Sequence, residues 1–182
     1  MPKRSHIPQK KGSPDDFQTP PKAVIPLLPY LSKEWRIWEC AAGKRNLVRA
    51  LQGQGYHIYG SDILIGTDFL TSPPPHPFDC IVTNPPYSLK DEFVERCYSY
   101  HKPFALLMPL TALEGEHKQQ LYREHGIQLI IPNQRLNFET PYGKDLGSWF
   151  TTAWFTWKLF LPRDLMFFDL KHAKNLEQLA LL

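Results

Sequence analysis

Apolar positions along the chain fall into short runs that alternate with amphipathic stretches. Val24, Ile25, Leu27, Leu28 and Leu31 recur at helical spacing after Pro20-Pro21 and predict a first helix. Arg36-Ile-Trp-Glu39 reads as a short buried strand that meets the small-residue stretch Cys40-Ala-Ala-Gly43. Leu47, Val48 and Leu51 mark a second helix, closed by Gly53 and Gly55. Residues 56–61 form the next strand, ending at Asp62, and residues 78–82 the third, after a loop through Asp68-Phe69-Leu70 and a triple proline. Ser88-x-x-Asp91 has the form of a capping box, and Phe93, Val94 and Cys97 give the following helix a buried stripe. Residues 104–109 and 127–131 predict two more strands around a polar helix at 114–125. The Phe-, Trp- and Thr-rich stretch 148–161 predicts one or two others. Strands alternating with helices predict an α/β fold with a mainly parallel central sheet and helices on both faces.

Length and composition narrow this picture. The 182 residues suit one α/β domain, assigned to 16–162, with 42% hydrophobic and 21% charged content in the globular range. Residues 1–15 read as a flexible leader, in which Lys3, Arg4, Lys10 and Lys11 precede the first acid, Asp15. Residues 163–182, with Leu170, Leu176, Leu179 and Leu182, predict a terminal amphipathic helix. No apolar run approaches the ~20 residues that span a membrane, and no signal core follows a charged start. A soluble, cytoplasmic protein is expected. Cys40, Cys80 and Cys97 form no Cys-x-x-Cys pair, and the histidines show no ligand spacing, so neither a disulfide framework nor a metal site is expected.

The chemistry concentrates in Asn84-Pro85-Pro86-Tyr87, directly after an apolar strand. Two prolines fix two φ angles, remove two donors and hold the residue before each extended. The segment is a stiff ledge presenting one amide, one carbonyl and one aromatic ring. The Asn84 side-chain oxygen and the Pro85 carbonyl can accept both N–H bonds of one amino group while the Tyr87 ring stacks on the plane behind it. That geometry aims the nitrogen lone pair at an electrophile by positioning rather than by a strong base. The turn after Glu39 and the carboxylate of Asp62 suit a nucleoside-bearing cofactor, with Asp68 as a polar contact and Phe69 as an aromatic wall.

These segments, in this order, resemble the S-adenosylmethionine-dependent amino methyltransferases, and among them the small phage-type DNA adenine-N6 enzymes. Phe17-Gln18-Thr19-Pro20 is similar to the segment that holds the methionine end of the cofactor. Residues 38–43, with Glu39, Ala41 and Gly43, are similar to the cofactor loop, Ser61-Asp62 to the ribose-binding strand end, and residues 66–70 to the adenine wall. Residues 110–115 also fit, and Arg135-Leu-Asn-Phe138 resembles a later segment whose aromatic packs on the target base. The resemblance covers roughly residues 16–160. It implies a Rossmann-like class I methyltransferase fold, S-adenosyl-L-methionine as cofactor, Asn84, Pro85, Pro86 and Tyr87 as catalytic residues, and Arg135 and Phe138 with Tyr87 at the substrate.

Two departures stand out. Arg45 occupies the place of a second glycine in the cofactor loop, where its side chain would crowd the cofactor or pair with its carboxylate. No recognition domain is evident either, so recognition falls to the basic leader, the loop 133–148 or a protein partner. The expected partner is nucleic acid, DNA ahead of RNA, with a duplex target flipped out of the stack. The same ledge serves RNA guanine and protein glutamine methylation. A non-catalytic binding module that keeps the fold is the reading of another class.

Overall fold

The computed structural model describes residues 18–140, 143–144, 150–170 and 173. In chain order the elements are β1 (Arg36–Glu39), α1 (Asn46–Gly53), β2 (His57–Gly60), β3 (Cys80–Thr83), α2 (Lys90–Ser99), β4 (Phe104–Pro109), α3 (Glu116–His125), β5 (Gln128–Pro132), β6 (Glu139–Thr140), β7 (Gly143–Lys144), β8 (Thr152–Trp157) and β9 (Leu165–Phe168). Seven strands make one sheet in the order β2-β1-β3-β4-β8-β5-β9, and β6 and β7 pair separately. Every pairing in the large sheet is parallel except those of β8, which runs antiparallel between β4 and β5. The mainly parallel α/β architecture is the one expected.

The period-two alternation of strand side chains divides the core into two layers. Ile37, Cys80, Val82, Ala105, Leu107 and Trp154 point to the side covered by α1 and residues 23–31. Trp38, Ile81, Phe104, Leu106, Met108 and Phe155 point to the side covered by α2 and the aromatic rings of Phe69 and Phe78. β4 is buried along its whole length, as its unbroken apolar run requires of a central strand. The amino ends of β1 and β3 are pinned together by Arg36, whose amide and guanidinium donate to the Asp79 carboxylate at 2.9–3.0 Å.

Three details depart from the pattern reading. The first helix is a 3₁₀ helix, Pro21–Tyr30, because Pro26 and Pro29 take two amide donors out of its interior. The capping box does not form: Tyr87–Leu89 continues the ledge as a 3₁₀ turn, so α2 starts behind Leu89, with no side-chain cap. Asp91 instead accepts from the buried Lys118 Nζ at 2.6 Å. The stretch 148–161, expected to give one or two strands, supplies β8 among the described residues. In the C-terminal tail, Leu165–Phe168 adds an outer strand beside β5 where a helix was expected. Its apolar and aromatic residues fit a pleated edge. Leu176, Leu179 and Leu182 lie outside the described residues, as does the leader.

Side chains from distant strands hold the proline-rich segment in place. Trp154 Nε1 donates to the Ala23 carbonyl at 2.7 Å, and the Tyr56 hydroxyl to the Leu28 carbonyl at 2.8 Å. Trp154 is 1% exposed, so Trp154→Phe leaves a gap and removes a donor from a buried carbonyl. We expect a loss of about 2–3 kcal/mol, read as a lower urea midpoint at unchanged slope.

Candidate active site

From β1 the chain first crosses to β2 on one side, then returns to place β3 on the other. The order therefore reverses at β1, and in such sheets ligands sit in the crevice beyond the carboxyl ends of the strands on either side of that point. Glu39, Gly60 and Thr83 end these three strands. The segments that follow them are the small-residue turn, Ser61-Asp62 and Asn84-Pro85-Pro86-Tyr87. Three groups separated in sequence thus share one rim.

Glu39 stands at the centre of that rim. It is 1% exposed, and its Oε1 accepts from the Thr83 hydroxyl and, at 3.1 Å, from the Ala41 amide. Burial pushes its carboxyl up to about 8, against the opposing effect of those two bonds, with the nearby Asp62 adding to the rise. Its own carbonyl accepts from Ser61 N–H at 2.9 Å, and the Ser61 carbonyl accepts from Ala42 N–H at 3.0 Å. The buried Trp38 indole donates to Ser61 Oγ at 2.8 Å. Asp62 accepts from Gly43 N–H at 2.8 Å on one oxygen and from Leu64 N–H at 2.9 Å on the other. A carboxylate offers about four acceptor positions, so a pair of hydroxyls can share it with these amides.

Gln18 reaches the same turn from the amino-terminal side. It is buried, and its Oε1 accepts from Lys44 N–H at 2.9 Å. Gly43 has φ +46°, and a Cβ there would come within 3.1 Å of Gln18 Nε2, so both the conformation and the close approach call for glycine. Thr19 is buried beside it and Pro20 half-buried, while Phe17 lies outside the described residues. Arg45 takes the left-handed conformation a glycine would hold, φ 64° and ψ 25°, at a cost of roughly 1 kcal/mol. Its guanidinium turns back toward Gly60, with Nη1 3.8 Å from where a Cβ of that glycine would stand. Arg45 thus lies over the end of β2.

Asn84 is half-buried and Pro85 buried. The Pro86 carbonyl accepts from Leu89 N–H at 2.9 Å and the Tyr87 carbonyl from Lys90 Nζ at 3.3 Å, which fixes the ledge on the start of α2. The Tyr87 ring meets Phe150 edge-to-face, with centroids 5.6 Å apart, and Phe150 in turn stacks on Phe138 at 6.5 Å. Phe138 is 1% exposed and belongs to the core. The half-buried Phe150 is the ring beside the ledge. Arg135 and Asn137 are exposed on the segment leading to it.

On the other side of the rim, Asp68 accepts from Leu70 N–H and the Thr71 hydroxyl, both at 2.9 Å, and so closes its own turn. Phe69 is 2% exposed, packed against Trp38 and Phe93 with centroids 5.3 and 4.7 Å away. It is a core ring rather than an open wall. The exposed apolar surface beside Asp62 belongs to Ile63, Leu64 and Ile65. Thr83, Phe150 and this triplet are residues of the candidate site that sequence reasoning missed. A lone hydroxyl in an apolar strand, and three apolar residues in a loop after a strand-end acid, were the available signals for Thr83 and the triplet. Phe150 carried none.

No helix among the described residues is long and apolar enough to cross a membrane, and no cluster among them could hold a metal ion. The sheet order and its covering helices make a Rossmann-like α/β fold of the kind methyltransferases use. Among solved structures, the chain is similar to the methyltransferase subunit of a type I restriction-modification system from Streptococcus thermophilus. The TM-score is 0.55 at 19% identity, covering 88% of this chain and 48% of that one. It is also similar to a modification subunit ascribed to a type I restriction enzyme from Vibrio vulnificus, with TM-score 0.51 at 13% identity, covering 77% and 44%. The chain spans about half the length of either. No protein-family model and no curated protein sequence matches it.

Glu39 makes the rim sensitive to pH. Its folded value near 8 lies above the ordinary 4.5, so the native state holds a proton that the unfolded chain releases between these values. Stability carried by the neutral carboxyl is complete below about pH 4.5 and is lost as pH rises through about 8. Glu39→Gln, which cannot ionise, should flatten that slope. Melting temperatures of the two proteins should diverge in favour of the variant as pH rises from 5 to about 9; parallel curves would show that Glu39 does not titrate in this window.

Proposed function

We propose that this protein transfers a methyl group from S-adenosyl-L-methionine to the exocyclic amine of adenine in nucleic acid, with DNA the favoured substrate. The observation that carries the reading is the convergence at one rim of the Asn84-Pro85-Pro86-Tyr87 ledge, the close turn at Gly43 and the carboxylate of Asp62. The residues fit the cofactor in two respects. The turn lacks a side chain where backbone must be approached, and Asp62 holds two loop amides with acceptor capacity left for ribose hydroxyls. Gln18, Thr19 and Pro20 lie on the methionine side of that turn. Ile63, Leu64 and Ile65 offer apolar surface for an adenine ring, a part the buried Phe69 is poorly placed to fill.

When bound, the cofactor supplies an electrophilic methyl on a sulfonium centre. The protein's task is to orient the acceptor. The Asn84 oxygen and the Pro85 carbonyl accept the two N–H bonds, which draws the nitrogen toward tetrahedral geometry and directs its lone pair at the methyl. The Tyr87 ring, braced on its edge by Phe150, supports the plane of the base. The proton lost from nitrogen passes to water. No strong base is required, because positioning and desolvation lower the barrier. Arg135 and the basic leader are the cations placed to meet phosphates in this reading.

The two solved structures of this fold bear names from restriction and modification, which favours DNA over RNA or protein.

Asn84→Ala should lower methyl transfer by at least about a hundredfold while leaving the affinity for S-adenosylhomocysteine, read by calorimetry, unchanged. Asp62→Ala should abolish that binding. Mass spectrometry of DNA, RNA and protein after reaction identifies the methylated group, and methyl found only on guanine or glutamine would overturn the adenine reading.

A further inference from the structure

β9 is the outer strand of the sheet. It pairs with β5 on one side, and among the described residues no strand lies on the other. Leu129 N–H donates to the Asp164 carbonyl at 2.7 Å, and Asn133 N–H to the Phe168 carbonyl at 2.8 Å. Backbone groups of alternate residues in a strand point the same way, so Asp164, Met166 and Phe168 turn theirs toward β5. Leu165 and Phe167 therefore turn N–H and C=O to the open edge. Their side chains are 52% and 78% exposed, whereas Met166 and Phe168 pack on the core. Leu165 and Phe167 alternate onto one face of β9, and the exposed Arg163, in the bend 162–164, and Asp169 flank the strand at its two ends. An exposed cation, two exposed apolar groups and an exposed anion thus follow one another along the edge.

This order is self-complementary when read in the opposite direction. We propose that β9 is the contact through which two copies of this chain associate, pairing antiparallel about Met166. Leu165 of each copy then lies opposite Phe167 of the other, and the Arg163 end of each strand lies beside the Asp169 end of its partner. The backbone agrees, since Leu165 and Phe167 both face outward and can exchange N–H···O bonds as a pair. Sliding by two residues would set Arg163 against Phe167, or Leu165 against Asp169, so charge and apolarity select one register. Asp169 already accepts from Asn133 Nδ2 at 2.8 Å, and a carboxylate can accept further bonds. An uncovered apolar edge is otherwise a site of uncontrolled pairing. The contact is short, so the association is reversible and depends on concentration. It does not rest on the enzymatic reading above.

The test is sedimentation of the full chain over a range of concentrations, with native structure checked by circular dichroism. The wild-type protein should dimerise. Arg163→Asp and Asp169→Arg each set like charges opposite one another twice, and each should weaken association roughly tenfold or more. Mixing the two variants restores both ion pairs and should restore the dimer. Phe167→Lys should weaken association in every combination. A wild-type protein that stays monomeric at all concentrations, as it would if residues beyond 173 cover the edge, overturns the proposal. So does a dimer indifferent to these changes, or a mixture that fails to recover.

Discussion

The hydrogen bond from the Thr83 hydroxyl to the Glu39 carboxyl joins the ends of the two strands between which the sheet reverses its order. Everything proposed for the site hangs on these ends. Behind Glu39 comes the turn with Gly43, and directly behind Thr83 comes Asn84. Because the carboxyl is buried, it favours its protonated form, so the link is made by two hydroxyl-type groups and an amide rather than by an exposed ion pair. A surface bridge could slacken at little cost. A buried, satisfied polar group cannot, since opening it leaves unpaired atoms in an apolar core. Distance between the turn and the ledge is thereby held as part of the core, not as a property of two loops.

The rim is braced from both flanks. Asp62 ties the end of β2 to Gly43, and Gln18 reaches the next amide from the far side. The aromatic series Tyr87, Phe150 and Phe138 runs from the ledge to the core. Phe138 is the buried end of that series and Phe150 the half-buried end beside the ledge. A planar guest beside Tyr87 would therefore press on a ring that has support behind it.

Much of this was legible from residue order. Short apolar runs ending in Glu39, Asp62 and Asn84 located three strand ends, and alternation with helices indicated parallel pairing, which brings those ends together. What escaped depended on contacts between distant residues. The apolar and aromatic residues of Leu165-Met-Phe-Phe168 suit a strand, but the leucines that follow outweighed them, and its partner β5 lies more than thirty residues earlier. The prolines that turned the first helix into a 3₁₀ helix were visible, but the bonds from Trp154 and Tyr56 that hold it were not. Ser88 and Asp91 had the spacing of a cap, yet the ledge carried its own turn past them. Phe69 and Phe138 looked available as ring walls, and only the packed structure shows how little of either is exposed.

Gly60 adds a last point. A methyl group there would come 2.9 Å from the Ala42 Cβ and 3.0 Å from a methyl of Val48. The gap between the end of β2, the turn and α1 thus has room for one methyl, and residue 42 holds it. In evolutionary terms the two positions are not inherited independently. Alanine at 60 becomes tolerable once 42 has gone to glycine and Val48 has yielded a few tenths of an ångström, whereas either change alone leaves a clash or a void. Lineages descended from this chain should carry the methyl on one side of that gap or the other.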